Sequence, residues 1–185
     1  MENDPLFSGE RIYELIPQRP PIVMVDALYR YDREGAETGL DVLTDNIFVE
    51  DGKFTAPGLI EHVAQSAAVF AGYGAFVRGL TPETGYIAEV KKFRIFRMPE
   101  VGERLYTVLR LLGSAAGMSL FSAEVFSFKS GDSRHDPFPV CDGISGLMSR
   151  NDSGKESLPG HGTCVPAASG QMKIFIKEQE DDRIE

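Results

Sequence analysis

Cysteine is scarce, positive charge is in short supply, and no apolar run is long. The 185 residues hold two cysteines, Cys141 and Cys164. Neither has companion Cys or His residues at zinc-ligand spacing. This argues against a disulfide framework and a structural metal site, and reads as two free thiols in a reducing compartment. Lysine and arginine number 19 against 28 aspartate and glutamate, a formal charge of −9 with a pI near 4.9. Such a balance provides no electrostatic footprint for gripping phosphate backbone or anionic lipid, so nucleic-acid and membrane roles are disfavoured. No stretch approaches the ~18 apolar residues of a membrane span. The opening Met1-Glu2-Asn3-Asp4-Pro5 is acidic where a secretory signal starts basic. The expected location is the cytoplasm.

What is present is enough apolar matter for one core. Hydrophobic residues make up 42% and charged residues 25%, close to the globular average, and the length suits a single domain over 1–185. Arg11 to Ile16 reads as a short helix that must stop before Pro17, because the residue ahead of a proline is pushed out of the α region. Ile22 to Asp32 and Glu37 to Leu43 read as strands, with Glu34-Gly35 turning between them. From Leu59 to Val77 small and apolar residues crowd every face, and Pro57-Gly58 stands ahead as a start signal. A helix apolar all round must be wrapped by other structure. Thr84 to Met98, Glu103 to Leu112 and Met118 to Phe128 read as an antiparallel meander, and Gln171 to Ile176 as a last strand before an acidic tail, Glu178 to Glu185, expected to be frayed. The Gly-, Ser-, Asp- and Pro-rich stretch at about 129–170 is read as an insertion before that strand, partly ordered by Val140 to Met148 or flexible.

Three motifs add a family likeness. Leu15-Ile16-Pro17-Gln18-Arg19-Pro20-Pro21-Ile22-Val23-Met24-Val25-Asp26 resembles the opening segment of the 3-hydroxyacyl-acyl-carrier-protein dehydratases. Gly58-Leu59-Ile60-Glu61-His62-Val63-Ala64-Gln65 resembles the start of their central helix, and Lys92-Phe93-Arg94 with Arg97-Met98-Pro99 and Gly102-Glu103 resembles the strand and turn that follow. Within that family the chain looks most like the dehydratase-type proteins of aryl-polyene and flexirubin pigment clusters, through Ile60 to Gln65. The resemblance implies an α+β hotdog fold, an antiparallel sheet wrapped around a long central helix. It also implies a thioester of acyl carrier protein or coenzyme A as ligand and a dimer with the site at its interface. That dimer would be two copies of this chain or a pairing with a His-bearing homologue. No cofactor or metal is implied.

Removing water from a 3-hydroxyacyl thioester needs a base for the C2 proton, an acid for the leaving hydroxyl, and donors for charge on the thioester oxygen. The family divides the proton work between a His and a Glu or Asp. By resemblance Glu61 holds the acidic position, and Gln18 stands where the family has His. A glutamine amide does not titrate near neutral pH and cannot carry the proton. Gln65, four residues after Glu61, shares its helix face and is placed to orient it; otherwise Glu61 merely favours the helix dipole. Pro57 and Gly58 would leave free N–H groups at a helix start to hold a thioester oxygen, or simply begin the helix. His62 adjoins Glu61 but points about 100° away, and His135 and His161 fall in the insertion. Lys91, Lys92, Arg94 and Arg97 form a basic strip for an acidic carrier protein, or a strand edge protected by charge. Four readings stay open: a dehydratase working with Glu61 alone, a site completed by a partner's His, a non-catalytic thioester-binding or partner subunit, and an acyl thioesterase.

Overall fold

Alanine, glycine and valine on every face, with proline in the first turn, are the pattern around which the chain organises. In the computed structural model, which describes residues 4–81, 84–129 and 165–176, this pattern forms helix α1 (Ala56–Phe76). Thr55 stands at the N-cap position with its hydroxyl turned to the Phe48 carbonyl, and Pro57 lies where a missing N–H costs no intrahelical bond. The far end closes on Gly79 at φ +68°. There Leu80 N–H donates to the Ala75 carbonyl and Gly79 N–H to that of Phe76, the paired bonds that stop a helix on a left-handed residue. Pro57 and Gly58 lie inside the first turn, so the helix begins three residues before the Leu59 expected from sequence.

The strands are β1 (Phe7–Ser8), β2 (Ala27–Tyr31), β3 (Gly35–Asp41), β4 (Val49–Glu50), β5 (Lys53–Phe54), β6 (Gly85–Ile95), β7 (Glu103–Ala115), β8 (Met118–Lys129) and β9 (Val165–Ile176). Among the described residues, the main sheet runs β1-β2-β3-β7-β8-β9-β6 with every pair antiparallel, while β4 and β5 make a separate hairpin. Alternate residues of β7, β8 and β9 (Leu105 and Leu109, Phe121 and Ala123, Ala168 and Met172) pack with Leu59, Val63 and Ala67 of α1 in one buried cluster. This is the sheet-wrapped helix of the hotdog fold. A second cluster (Ile12, Leu15, Leu28, Val69) fastens a 3-10 turn, Gly9–Glu14, to the sheet and to the later turns of α1. The fit is tight: a Cβ at Gly72 would run into the Leu15 carbonyl. Among the described residues no helix is long and apolar enough to cross a membrane.

Several expectations are corrected. The helical turn expected over Arg11 to Ile16 is present but is 3-10 and runs Gly9–Glu14. Ile22 to Asp26 is not strand, because the backbone around Ile22 and Met24 bonds to the Gln65 side chain instead of to a neighbouring strand. The three runs after the helix do not form one meander. β7 and β8 form a hairpin, but β6 crosses to the far edge and pairs with β9, Gly85 opposite Ile176. Consecutive strands are neighbours only about two-thirds of the time, and local turn signals at Pro99 and Gly102 do not report this long-range choice. The last strand starts at Val165, six residues before Gln171, so the insertion is shorter than 129–170. Residues 130–164, with His135, His161, both cysteines and Val140 to Met148, lie outside the described residues, as do 177–185. The β4–β5 hairpin turns through Asp51 at φ 48° and Gly52 at φ 74°, and that Asp-Gly pair is a recognised hairpin signal which the sequence reading passed over.

Candidate functional site

The segment between the 3-10 turn and β2 has almost no regular structure, so its placement depends on side chains reaching its backbone. Arg19 holds one end, its Nη1 donating to the carbonyls of Ile16 and Gln18, both at 2.8 Å. Gln65 holds the other. Its Oε1 accepts the Met24 N–H at 2.7 Å, while its Nε2 donates to the Ile22 carbonyl at 2.7 Å and to Glu61 Oε1 at 2.7 Å. The amide orientation is fixed, because a backbone N–H only donates and a carbonyl only accepts. Gln65 is buried and both its amide hydrogens are committed. It therefore holds one Glu61 oxygen, at the spacing that puts both on one helix face, and lines the cavity with both its amide hydrogens already committed.

Glu61 and Gln18 meet in a cavity of about 280 Å³. Its walls are Ala64, Ala68 and Ala71 on α1 and Gly85, Tyr86 and Ile87 on β6. Phe121 of β8, Ile174 of β9, Leu15 and Pro17 close it further. The polar groups sit among these apolar walls. Gln18 contributes a side-chain oxygen that is buried without a hydrogen-bond partner among the described residues. The alanines escaped the sequence reading as site residues, although a signal existed: 61, 64, 68 and 71 recur at spacings of three and four and share one helix face. The β6 contribution had no local signal, since it depends on the pairing with β9.

His62 points the other way, as the 100° offset requires. Its ring is fully buried, with Nδ1 2.6 Å from the Met24 carbonyl and Nε2 2.7 Å from Thr107 Oγ1. The carbonyl only accepts, so Nδ1 carries the hydrogen and Nε2 accepts from the threonine hydroxyl. Burial lowers its pKa to about 4, against the opposing pull of the Met24 carbonyl. It is a neutral structural bridge between helix and sheet. Ser66 extends the bridge, donating to the His62 carbonyl at 2.8 Å and lying 2.7 Å from Thr38 Oγ1.

Pro57 and Gly58 do not line the cavity. Gly58 instead lets the helix start sit against Phe48 and Phe54, whose atoms a Cβ would meet at 2.7 Å. Their expected contact with a thioester oxygen is not what this packing serves. Lys91, Lys92 and Arg94 are exposed on β6, the strand that walls the cavity. Lys91 pairs with Glu89 at 3.1 Å, and Lys173 reaches the same carboxylate at 3.0 Å. Arg97 departs from the expected strip. It turns inward to Glu103 at 2.8 Å and to Ser127. Burial works to raise the Glu103 carboxyl pKa, but the Arg97 and Glu100 hydrogen bonds outweigh it and hold the carboxyl below its ordinary range.

A family model described as ApeP-like, ApeP dehydratase, matches residues 10–135. Comparison with curated proteins finds no match. Among solved structures, the dehydratase heterocomplex ApeI:P from Xenorhabdus doucetiae aligns with a TM-score of 0.66 at 15% identity, covering 91% of each chain. Cj0977, a sigma28-regulated virulence protein from Campylobacter jejuni, aligns at 0.54 with 10% identity over 92% of this chain and 89% of that one. The uncharacterized protein PH1136 from Pyrococcus horikoshii aligns at 0.51 with 11% identity over 87% and 89%. At such identities these likenesses establish the fold.

Proposed function

The chain belongs to the ApeP-like family of dehydratases, and from that premise we propose that its cavity takes the acyl part of a 3-hydroxyacyl or enoyl thioester. In this reading Glu61 is the acid/base of the site. Dehydration moves the C2 proton to a base and delivers a proton to the departing C3 hydroxyl, leaving an enoyl thioester and water. Glu61 is suited to one of these transfers, since Gln65 fixes one carboxylate oxygen and leaves the other for chemistry. The observation that carries the proposal is the meeting of Glu61 and Gln18 in one largely apolar cavity.

The second proton carrier is supplied from outside this chain's described residues. Among them the sole histidine is His62, which is buried and doubly bonded, and the Gln18 amide does not titrate. A heteromeric arrangement, with an imidazole contributed by a related subunit, fits that deficit. The Xenorhabdus doucetiae relative is itself a dehydratase heterocomplex. Lys91, Lys92 and Arg94 beside the cavity wall suit an acidic carrier protein delivering the thioester.

The test measures interconversion of 3-hydroxyacyl and enoyl thioesters by the chain alone, by a His-bearing hotdog homologue alone, and by the two mixed. Turnover that needs the mixture and is lost in Glu61→Gln supports the proposal. Full turnover by the mixture carrying Glu61→Gln refutes the acid/base role, and release of free thiol without enoyl product would make the protein a thioesterase.

A further inference from the structure

The Gln18 side-chain oxygen is an anomaly in this cavity. It is buried, it lines the space beside Glu61, and it accepts no hydrogen bond among the described residues. A buried acceptor left without a donor is destabilising, and the usual remedy is a side-chain or backbone adjustment. Here adjustment is restrained on both sides. Arg19 grips the Gln18 carbonyl, and Gln65 grips the backbone at Ile22 and Met24. None of the described residues donates to it: Ala64 and Ala68 have no hydrogen to give, both amide hydrogens of Gln65 are committed, and the hydroxyls of Thr84 and Tyr86, which also line the cavity, do not reach it. The cavity therefore presents one unpaired acceptor beside Glu61, which favours a ligand that brings its own hydroxyl hydrogen.

Resting on the thioester reading above, we propose that Gln18 is a specificity-determining residue. Its Oε1 accepts a hydrogen bond from the C3 hydroxyl, so the site holds the hydroxylated acyl chain in preference to the same chain without that hydroxyl. A cavity already equipped with an unpaired acceptor discriminates strongly, because the ligand lacking the hydroxyl leaves that acceptor unsatisfied a second time. The position that resembles the family's His would then serve recognition, with no proton changing hands.

Equilibrium binding tests this without any turnover. The full chain is titrated calorimetrically with 3-hydroxyoctanoyl-pantetheine and with octanoyl-pantetheine, which share every group except the C3 hydroxyl. The expected result is about tenfold tighter binding of the hydroxylated probe, a difference of about 1.4 kcal/mol. Gln18→Leu should bring the ratio close to one, and Gln18→Glu, which keeps an acceptor, should retain the preference. Equal binding of the two probes by the native chain would overturn the proposal, as would a preference that survives Gln18→Leu. Weakening of both probes alike in Gln18→Leu would assign the acceptor to a pantetheine amide and overturn it too. Failure of either probe to bind would sink the thioester reading along with it, whereas hydroxyl preference without dehydratase turnover would sink only the catalytic part of that reading.

Discussion

Lowering the pH should cost the fold stability through His62, and the size of the loss follows from its surroundings. The folded chain keeps this imidazole neutral down to about pH 4, while an unfolded chain protonates it near its ordinary value of 6.5. Between those values the unfolded state binds more protons, so stability is lost as pH falls through that window. Linkage over this gap gives roughly 1 kcal/mol lost by pH 5.5, roughly 2 by pH 5 and roughly 3 by pH 4. Asp26 and Glu37 act with the opposite sign, because burial, although opposed by Arg104 at Asp26 and by the Tyr106 hydrogen bond at Glu37, raises both carboxyls. The His62 contribution is therefore read as a difference between the native chain and His62→Leu. At pH 7 the variant should be less stable by about 2 kcal/mol, since the Met24 carbonyl and the Thr107 hydroxyl each lose a buried partner. Urea unfolding from pH 7 down to pH 5 supplies the free energies at matched m-values. The two curves should converge near pH 5. A gap that stays constant over that range would show that the imidazole does not change its proton on unfolding, and would refute the reasoning.

Two further substitutions probe the frame of the site. Gly72→Ala should lower stability by roughly 1–3 kcal/mol, the usual cost of overpacking, because its methyl group would collide with the Leu15 carbonyl; an unchanged urea midpoint would contradict that close approach. Gln65→Leu should cost about 2–4 kcal/mol, since the Met24 N–H and the Ile22 carbonyl lose their partner together. In Gln65→Glu the acceptor for Met24 returns but the donors to Ile22 and Glu61 do not, so stability should recover only in part and turnover less, and parallel recovery of both would argue against an orienting role.

Much of this architecture was open to a reader of the sequence. Crowded small residues from Leu59 onward force a wrapped helix, and β-type composition between turn residues marks β7 and β8. The Glu61–Gln65 spacing foretells the hydrogen bond between them. What stayed hidden depends on partners far along the chain. Nothing near Gly85 announces that it will lie opposite Ile176, so the cavity wall was invisible. Arg97 looks like its basic neighbours until the fold brings Glu103 and Ser127 to it. Ile22 to Val25 has the composition of a strand, but it gives its backbone to a glutamine side chain. Pro57 and Gly58 stayed open between two roles for a local reason, since a glycine that frees an N–H and a glycine that admits two phenyl rings look alike in sequence.

The position of β6 has a consequence for how the protein is made. This strand leaves the ribosome soon after α1, carrying Tyr86, Ile87 and Val90, which stay partly exposed even in the folded chain, but its partner β9 lies beyond residue 164. Domains assembled from such distant pairings fold slowly, and exposed strands are open to wrong associations while they wait. The nascent chain thus brings out Gln18 and Glu61 long before it can enclose anything between them. A product terminated ahead of Val165 would retain both side chains and the helix, yet have no strand to hold β6 in place, and so no chamber for a ligand.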